Sequence, residues 1–312
     1  MKAKVTESKF RSAIRRVGQF FSMVAFGAAI LTCSSASAQN LFVSGRDAGG
    51  GEIFQFTWDG GQSIFASGLY KPWDVAIDSA GNVFVVDYMI LGGDSVGNAA
   101  IFKIMPNGTL TIFASRVSYS SSLAVDKTGN LFVADYDNGI IYQYKPSGSR
   151  ATFATGLYHP VGMALDSAGN LFVADNSAGN IHQGSIYKYK PDGSRVTIAV
   201  LNPGDRPADL ALDNMGNLYM ADLGGKIYRY DLSGVLRRYP RTMFGPVPNS
   251  AQSLAFDGAG NLFVADAGDA NGNGNAIYKF TAQGVRSIFA PVVDGVGESF
   301  ACLAFQPIPC CQ

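Results

Sequence analysis

Residues 161–175 read VGMALDSAGNLFVAD, and the same fifteen-residue phrase returns along the chain. It stands as WDVAIDSAGNVFVVD at 73–87, SSLAVDKTGNLFVAD at 121–135, ADLALDNMGNLYMAD at 208–222 and QSLAFDGAGNLFVAD at 252–266. A repeat of this length buries its apolar faces against its neighbours, so the copies form one stacked body. Inside the phrase, Met163 to Leu165 and Leu171 to Ala174 are short apolar runs around Asp166-Ser167-Ala168-Gly169-Asn170. Asp at the start of such a turn bonds the backbone ahead of it, and Gly takes positive φ without steric cost. The pattern is a hairpin signal.

Outward from the phrase, a variable Gly/Asn/Asp-rich loop leads to a third run, SIYKYKPDG at 185–193, and a fourth, RVTIAV at 195–200. Four antiparallel strands per repeat make a β-propeller blade. The phrase-ending aspartates Asp87, Asp135, Asp175, Asp222 and Asp266 are 48, 40, 47 and 44 residues apart, which suits blades with variable loops on one face. At the N-terminal side, NLFVSG at 40–45 is a phrase without its first strand, and EIFQFTWDGGQSIFAS at 52–67 supplies two more strands. The missing strand stands at the other end as FACLAFQP, 300–307. The fold expected is all-β: a six-bladed β-propeller of four-stranded antiparallel blades. The C-terminal strand joins the N-terminal blade and closes the ring, which removes exposed edges.

Residues 1–38 read as a secretory signal peptide. Lys2, Lys4, Lys9, Arg11, Arg15 and Arg16 precede an apolar stretch from Phe20 to Leu31, and Ala36-Ser37-Ala38 offers a cleavage site. A stretch of twelve residues falls short of a bilayer span. Cleavage leaves 274 residues: a propeller over 39–307 and a short Cys-containing tail over 308–312. It also removes six of 24 basic residues and one of 24 acidic residues, so the remainder is about five negative. No basic patch supports a nucleic-acid partner. The expected product is a monomer, secreted or periplasmic, with no membrane span after cleavage. Cys302, Cys310 and Cys311 leave two readings: a disulfide from Cys302 to the tail, or a buried Cys302 beside a loose pair.

With Pro160 ahead of it, the 161–175 phrase resembles the NHL repeat, whose pattern is Pro-x-Gly, apolar, Ala, apolar, Asp, then Gly-Asn and Val-Ala-Asp. The resemblance runs from about Asn40 to Phe305. It implies a six-bladed propeller related to the gluconolactonase-like superfamily. Enzymes of that superfamily hold a divalent metal in the central channel through Glu, Asn and Asp, five residues before the turn aspartate. Here those places hold Trp73, Ser121, Val161, Ala208, Gln252 and Ala301. Asp74 and Asp209 sit one residue later, where a strand turns its side chain to the other face. They fall in blades 2 and 5, opposite in a ring of six, and a bond to a backbone amide is the favoured reading of each. Amidating lyases and streptogramin-type lyases on this fold need more histidines, or a His and a Glu near the channel. This chain has His159 and His182 on one blade.

The face with the inter-blade and variable loops is the expected ligand-binding face. Tyr70, Trp73, Tyr119 and Tyr158 belong to the first set, and Tyr88 and Tyr136 to the second. Aromatic rings near Asp and Asn stack on a sugar or grip a peptide. The five phrase-ending aspartates are expected to pin loops. In DANGNGN at 269–275, Asp269, Asn271 and Asn273 have the alternate spacing of oxygen ligands, so this loop is a candidate Ca2+ site. The twelfth position of an EF-hand loop is here Phe280, so affinity should be weak, and a plain polar loop is the other reading.

The function expected is a binding or interaction scaffold for a protein or glycan, with no catalytic constellation in view. The alternative is a metal-dependent lactone hydrolase or lyase of the gluconolactonase-like superfamily, with Asp74, Asp209 and His159 as its best catalytic candidates.

Overall fold

The structure is a computed structural model that describes residues 39–47, 50–88, 99–176, 184–230, 232, 241–268, 275–291 and 302–307. Its 24 strands form six four-stranded sheets, each antiparallel throughout. Five sheets run in simple chain order, beginning with the strands Pro72–Ile77, Ser120–Val125, Pro160–Leu165, Pro207–Leu212 and Ala251–Phe256. These are blades 2 to 6. Blade 1 is composite. Leu303–Phe305 pairs with Leu41–Asp47 in the register Leu41↔Phe305 and Val43↔Leu303. The ring is therefore closed by the C-terminal strand, as the repeat arithmetic predicts.

The turn inside each phrase is built by its aspartate. Asp166 Oδ1 accepts the amides of Ala168 (3.0 Å) and Asn170 (2.8 Å), while Oδ2 accepts the Asn170 side-chain amide at 2.7 Å. Gly169 has φ of +80°, a region costly for any residue with a Cβ. Asp78, Asp126, Asp213 and Asp257 hold their own Asn partners in the same way.

The second strand of each phrase buries every residue. In Leu171–Asp175 no position alternates outward, because the sheet is covered on both faces by neighbouring blades. The core accordingly lies in the seams. Phe172 and Ile186 of blade 4 pack against Leu218 and Met220 of blade 5. Phe42 and Ile53 of blade 1 meet Val75 and Val85 of blade 2. Near the axis the blades converge and space is short. There the first strands carry Ala76, Ala124, Ala164, Ala211 and Ala255, all buried.

Candidate functional site

The phrase-ending aspartates position the loops around the channel. Asp175 accepts the amides of Tyr158 (2.9 Å) and His159 (2.8 Å), the two residues that lead into the first strand of its own blade. Asp87 takes the Tyr70 amide, Asp222 the Arg206 amide, and Asp266 those of Asn249 and Ser250. Asp135 instead holds the backbone and side-chain amides of Asn138. A carboxylate with two or more amide donors fixes its loop without need of a ligand.

Every complete blade has a register break at the start of its first strand, between Pro72/Val75, Ser120/Ser122, Pro160/Gly162, Pro207/Asp209 and Ala251/Ser253. A bulge of this kind leaves an extra residue unpaired and re-aims its neighbours. The one-residue slip expected to turn Asp74 and Asp209 away from the channel is cancelled by it. Trp73 and Asp74, Ala208 and Asp209, and Ser121 and Ser122 all face one cavity of about 400 Å³. Tyr119, Tyr136, Asp137, Gln252 and Cys302 also line it.

Equivalent positions, one per blade, are Cys302, Asp74, Ser122, Gly162, Asp209 and Ser253 for blades 1 to 6, and four of them, Cys302, Asp74, Ser122 and Asp209, form the cavity floor. Asp74 Oδ1 accepts the Val75 amide at 2.8 Å, and Oδ2 accepts the Leu123 amide of blade 3 at 2.6 Å. The Cys302 thiol and the Ser122 hydroxyl also bond to it. Asp209 repeats the arrangement three blades on. Oδ1 accepts the Leu210 amide at 2.7 Å; Oδ2 accepts the Ser253 hydroxyl at 2.8 Å and the Leu254 amide at 2.9 Å. Each acid thus joins its own blade to the next. The favoured sequence reading, a backbone amide for each, describes part of this geometry; the channel placement goes beyond it.

Burial dominates the electrostatics. It pushes Asp74 above the usual carboxylate range, against the pull of its four hydrogen bonds. Burial and then the Asp74 charge push Asp209 up to about 7. Burial, with both aspartates nearby, holds the Cys302 thiol well above its ordinary value, so it is protonated and poorly nucleophilic. Cys302 is a free thiol, while Cys310 and Cys311 lie outside the described residues.

The aromatic candidates form an arc across blades 2 to 4. Ring centroids step from Trp73 to Tyr88 (6.2 Å), Tyr119 (5.2 Å), Tyr136 (5.4 Å) and His159 (4.4 Å, stacked at 11°), and Tyr158 meets His159 edge-on at 5.5 Å. Their roles divide. Trp73, Tyr119 and Tyr136 line the cavity. Tyr88 gives its hydroxyl to the Ser120 carbonyl at 2.6 Å and supports Tyr119 from behind. Tyr70 and Tyr158 are half-exposed outside the lining. His159 is stacked, with Nδ1 at 3.1 Å from the Tyr136 carbonyl, and it does not line the cavity. His182, Asp269, Asn271, Asn273 and Ala301 lie outside the described residues.

The channel metal of the gluconolactonase-like enzymes is tested by this donor set. Trp73, Ser121, Val161, Ala208 and Gln252 supply no carboxylate, and both aspartates already serve backbone amides. Among the described residues no group of three His, Cys, Asp or Glu is arranged to hold a metal ion. The residues present do not fit that ion.

Residues 66–223, half of the chain, match the family model described as the SMP-30/Gluconolactonase/LRE-like region. The chain belongs to this family. Solved structures place this family member among known propellers. A chain of the nidogen/laminin complex matches with a TM-score of 0.70 at 17% identity, over 88% of this chain and 100% of that one. A gluconolactonase from Xanthomonas campestris matches with a TM-score of 0.59 at 18% identity, over 72% and 77%. Virginiamycin B lyase from Staphylococcus aureus, a catalytically inactive form with quinupristin, matches at 0.56 and 16% identity, over 83% and 87%. At these identities the likeness is one of fold. No curated protein matches the chain.

Sequence reasoning missed Ser122, Asp137 and Cys302 as cavity residues, and named Gln252 only as the occupant of a channel position. Aligning the phrases would have placed Ser122, Ser253 and Cys302 beside Asp74 and Asp209. Asp137 has no counterpart signal, because it follows the phrase in a loop of variable length.

Proposed function

We propose that this propeller is a binding module for a protein or glycan outside the cytoplasm, with the channel-mouth cavity as its docking point. One observation carries the reading: the cavity joins an aromatic wall of Trp73, Tyr119 and Tyr136 to a polar floor whose carboxylates are already committed to holding blades together. Flat rings above fixed polar groups suit a ligand that is both stacked and oriented. The nidogen/laminin match supports use of this fold in protein assembly. A glycan array and a pull-down from envelope extract test it, each with the wild type and a Tyr119→Ala/Tyr136→Ala double variant. Capture by the wild type and loss in the variant is expected. Equal capture by both would remove the cavity from the account.

A second reading is favoured by Asp209, whose carboxyl titrates at about 7 inside the cavity and so has the proton affinity of a general acid or base near neutrality. In that case the chain opens a lactone or acts as a lyase. A lactone screen with and without calcium, zinc and manganese checks this. Turnover that disappears in both Asp74→Ala and Asp209→Ala would displace the binding reading.

A further inference from the structure

The cavity has an uneven charge. Asp74 and Asp209 lie at its floor and Asp137 at its exposed rim, and no lysine, arginine or histidine lines it among the described residues. The two floor acids use their hydrogen bonds on neutral donors: amides, serine hydroxyls and a thiol. Such donors orient a carboxylate without cancelling its charge. Independently of the acids, the wall is aromatic. Tyr119 and Tyr136 meet at 5.4 Å and 64°, an angled corner, and Trp73 lines the same cavity. Aromatic faces attract cations and stack flat ligands, and they discriminate against small hydrated anions. The volume, about 400 Å³, takes a body of one ring.

We infer that the cavity takes a ligand through a protonated primary amine carried on a ring-sized body, with the ring on the Tyr119–Tyr136 corner and the ammonium toward Asp74, Asp209 and Asp137. This rests on the proposed binding role and names the chemistry of its ligand. The amine supplies the positive charge that the lining lacks. Its approach also favours the ionised form of Asp209, so binding at pH 6–7 releases protons. The other titratable groups facing the cavity are Asp74, Asp137, Cys302, Tyr119 and Tyr136, of which Asp74, also raised by burial, shares the release.

Isothermal titration with two matched pairs tests the inference: 2-phenylethylamine against 2-phenylethanol, and glucosamine against N-acetylglucosamine. The pairs separate an arylalkylamine from an amino sugar. At least one amine is expected to bind about tenfold more tightly than its neutral partner, the effect of roughly one charge-assisted contact. Proton release should appear as a difference between phosphate and MES buffers, neither of which carries a primary amine. Asp137→Asn, at the exposed rim and away from the blade seams, should weaken the amine several-fold and leave the neutral partner unchanged. Equal binding of amine and neutral partner overturns the inference while leaving the cavity a binding site. Absence of amine binding, with a protein or glycan still captured through Tyr119 and Tyr136, overturns the amine alone. Absence of both sinks the binding role as well.

Discussion

The Asp209 carboxylate of blade 5 and the Ser253 hydroxyl of blade 6 meet at 2.8 Å, across a seam otherwise filled by apolar side chains. The serine does more than satisfy the acid. Its oxygen accepts the Leu303 amide at 3.1 Å, so blade 5, blade 6 and the closing strand of blade 1 are linked through one hydroxyl. Ser44 continues the line: it accepts the Cys302 amide at 3.0 Å and donates to the Trp73 carbonyl of blade 2 at 2.9 Å. These hydrogen bonds therefore link blades 5, 6, 1 and 2 in sequence.

This linkage predicts non-additive stability. Asp209→Ala orphans the Leu210 and Leu254 amides and the Ser253 hydroxyl, and should cost roughly 1–3 kcal/mol. Ser253→Ala should cost about 1 kcal/mol. The double variant should lose less than the sum, with a coupling of roughly 0.5–3 kcal/mol in urea unfolding. Simple additivity would mean that the two side chains do not share a bond in solution.

The same acid should make stability fall as pH rises. Asp209 titrates at about 7 in the folded protein against an ordinary value of 3.8. Between those values the folded chain holds more protons than the unfolded chain, so unfolding free energy declines with pH and levels off above 7. Asp74, Asp87 and Asp175, also raised by burial, act in the same direction. Asp126 and Asp166, lowered by their turn hydrogen bonds, act oppositely and at more acid pH. Melting temperatures at pH 5, 6, 7 and 8 should decrease along the series, and Asp209→Asn should flatten the decline. A flat wild-type profile contradicts the burial argument.

The blades were legible because their signals are local. Asp166 to Asn170 is a complete turn instruction within five residues, and it is repeated in each phrase. The composite blade was legible because the count of strands left one missing at the N-terminal end and one over at the C-terminal end. The channel was harder to see. Strand periodicity says that Trp73 and Asp74 point to opposite faces, and only the bulge between the Pro72–Asp87 and Val75–Val85 pairs brings both to the cavity. The bulge is a register relation between two strands, and no residue type in the phrase announces it. Cys302 was misplaced in emphasis for a related reason: its thiol meets an acid of another blade, 228 positions away in the numbering that sequence reading follows.

Gly162 occupies the ring position that is an acid, a serine or a cysteine in the other blades. A Cβ there would lie 2.6 Å from the Asp209 Cα and 2.9 Å from the Leu210 nitrogen, both backbone atoms that cannot swing aside. Gly162→Ala should push blades 4 and 5 apart at the axis and cost about 1–3 kcal/mol. Gly156→Ala is the control: its φ is +75° but the added carbon meets nothing within 4 Å, so only the conformational cost of about 1 kcal/mol applies. Equal melting shifts for the two variants would show that the blade 4–5 contact has room for a methyl group.

Ring closure rests on three paired residues and can be tested hardest. Leu303 is buried between blades 1 and 6, Phe305 meets Phe263 edge-on at 4.8 Å, and the Gln306 amide reaches the Asn40 carbonyl at 3.0 Å. Leu303→Ala keeps the backbone pairing and removes packing, which should cost roughly 2–5 kcal/mol. Deletion of 302–312 removes the pairing too and leaves Leu41, Phe42 and Val43 as an unpaired apolar edge. Such an edge recruits other strands, so the truncated protein should self-associate on size exclusion as well as melt earlier. The two variants separate packing from closure: Leu303→Ala should stay monodisperse at a lower melting temperature, and the truncation should not. A truncated chain that elutes and melts as the full-length protein does would mean that the strand contributes nothing to the ring, and the link from Ser253 through Leu303 to Ser44 would lose its structural meaning.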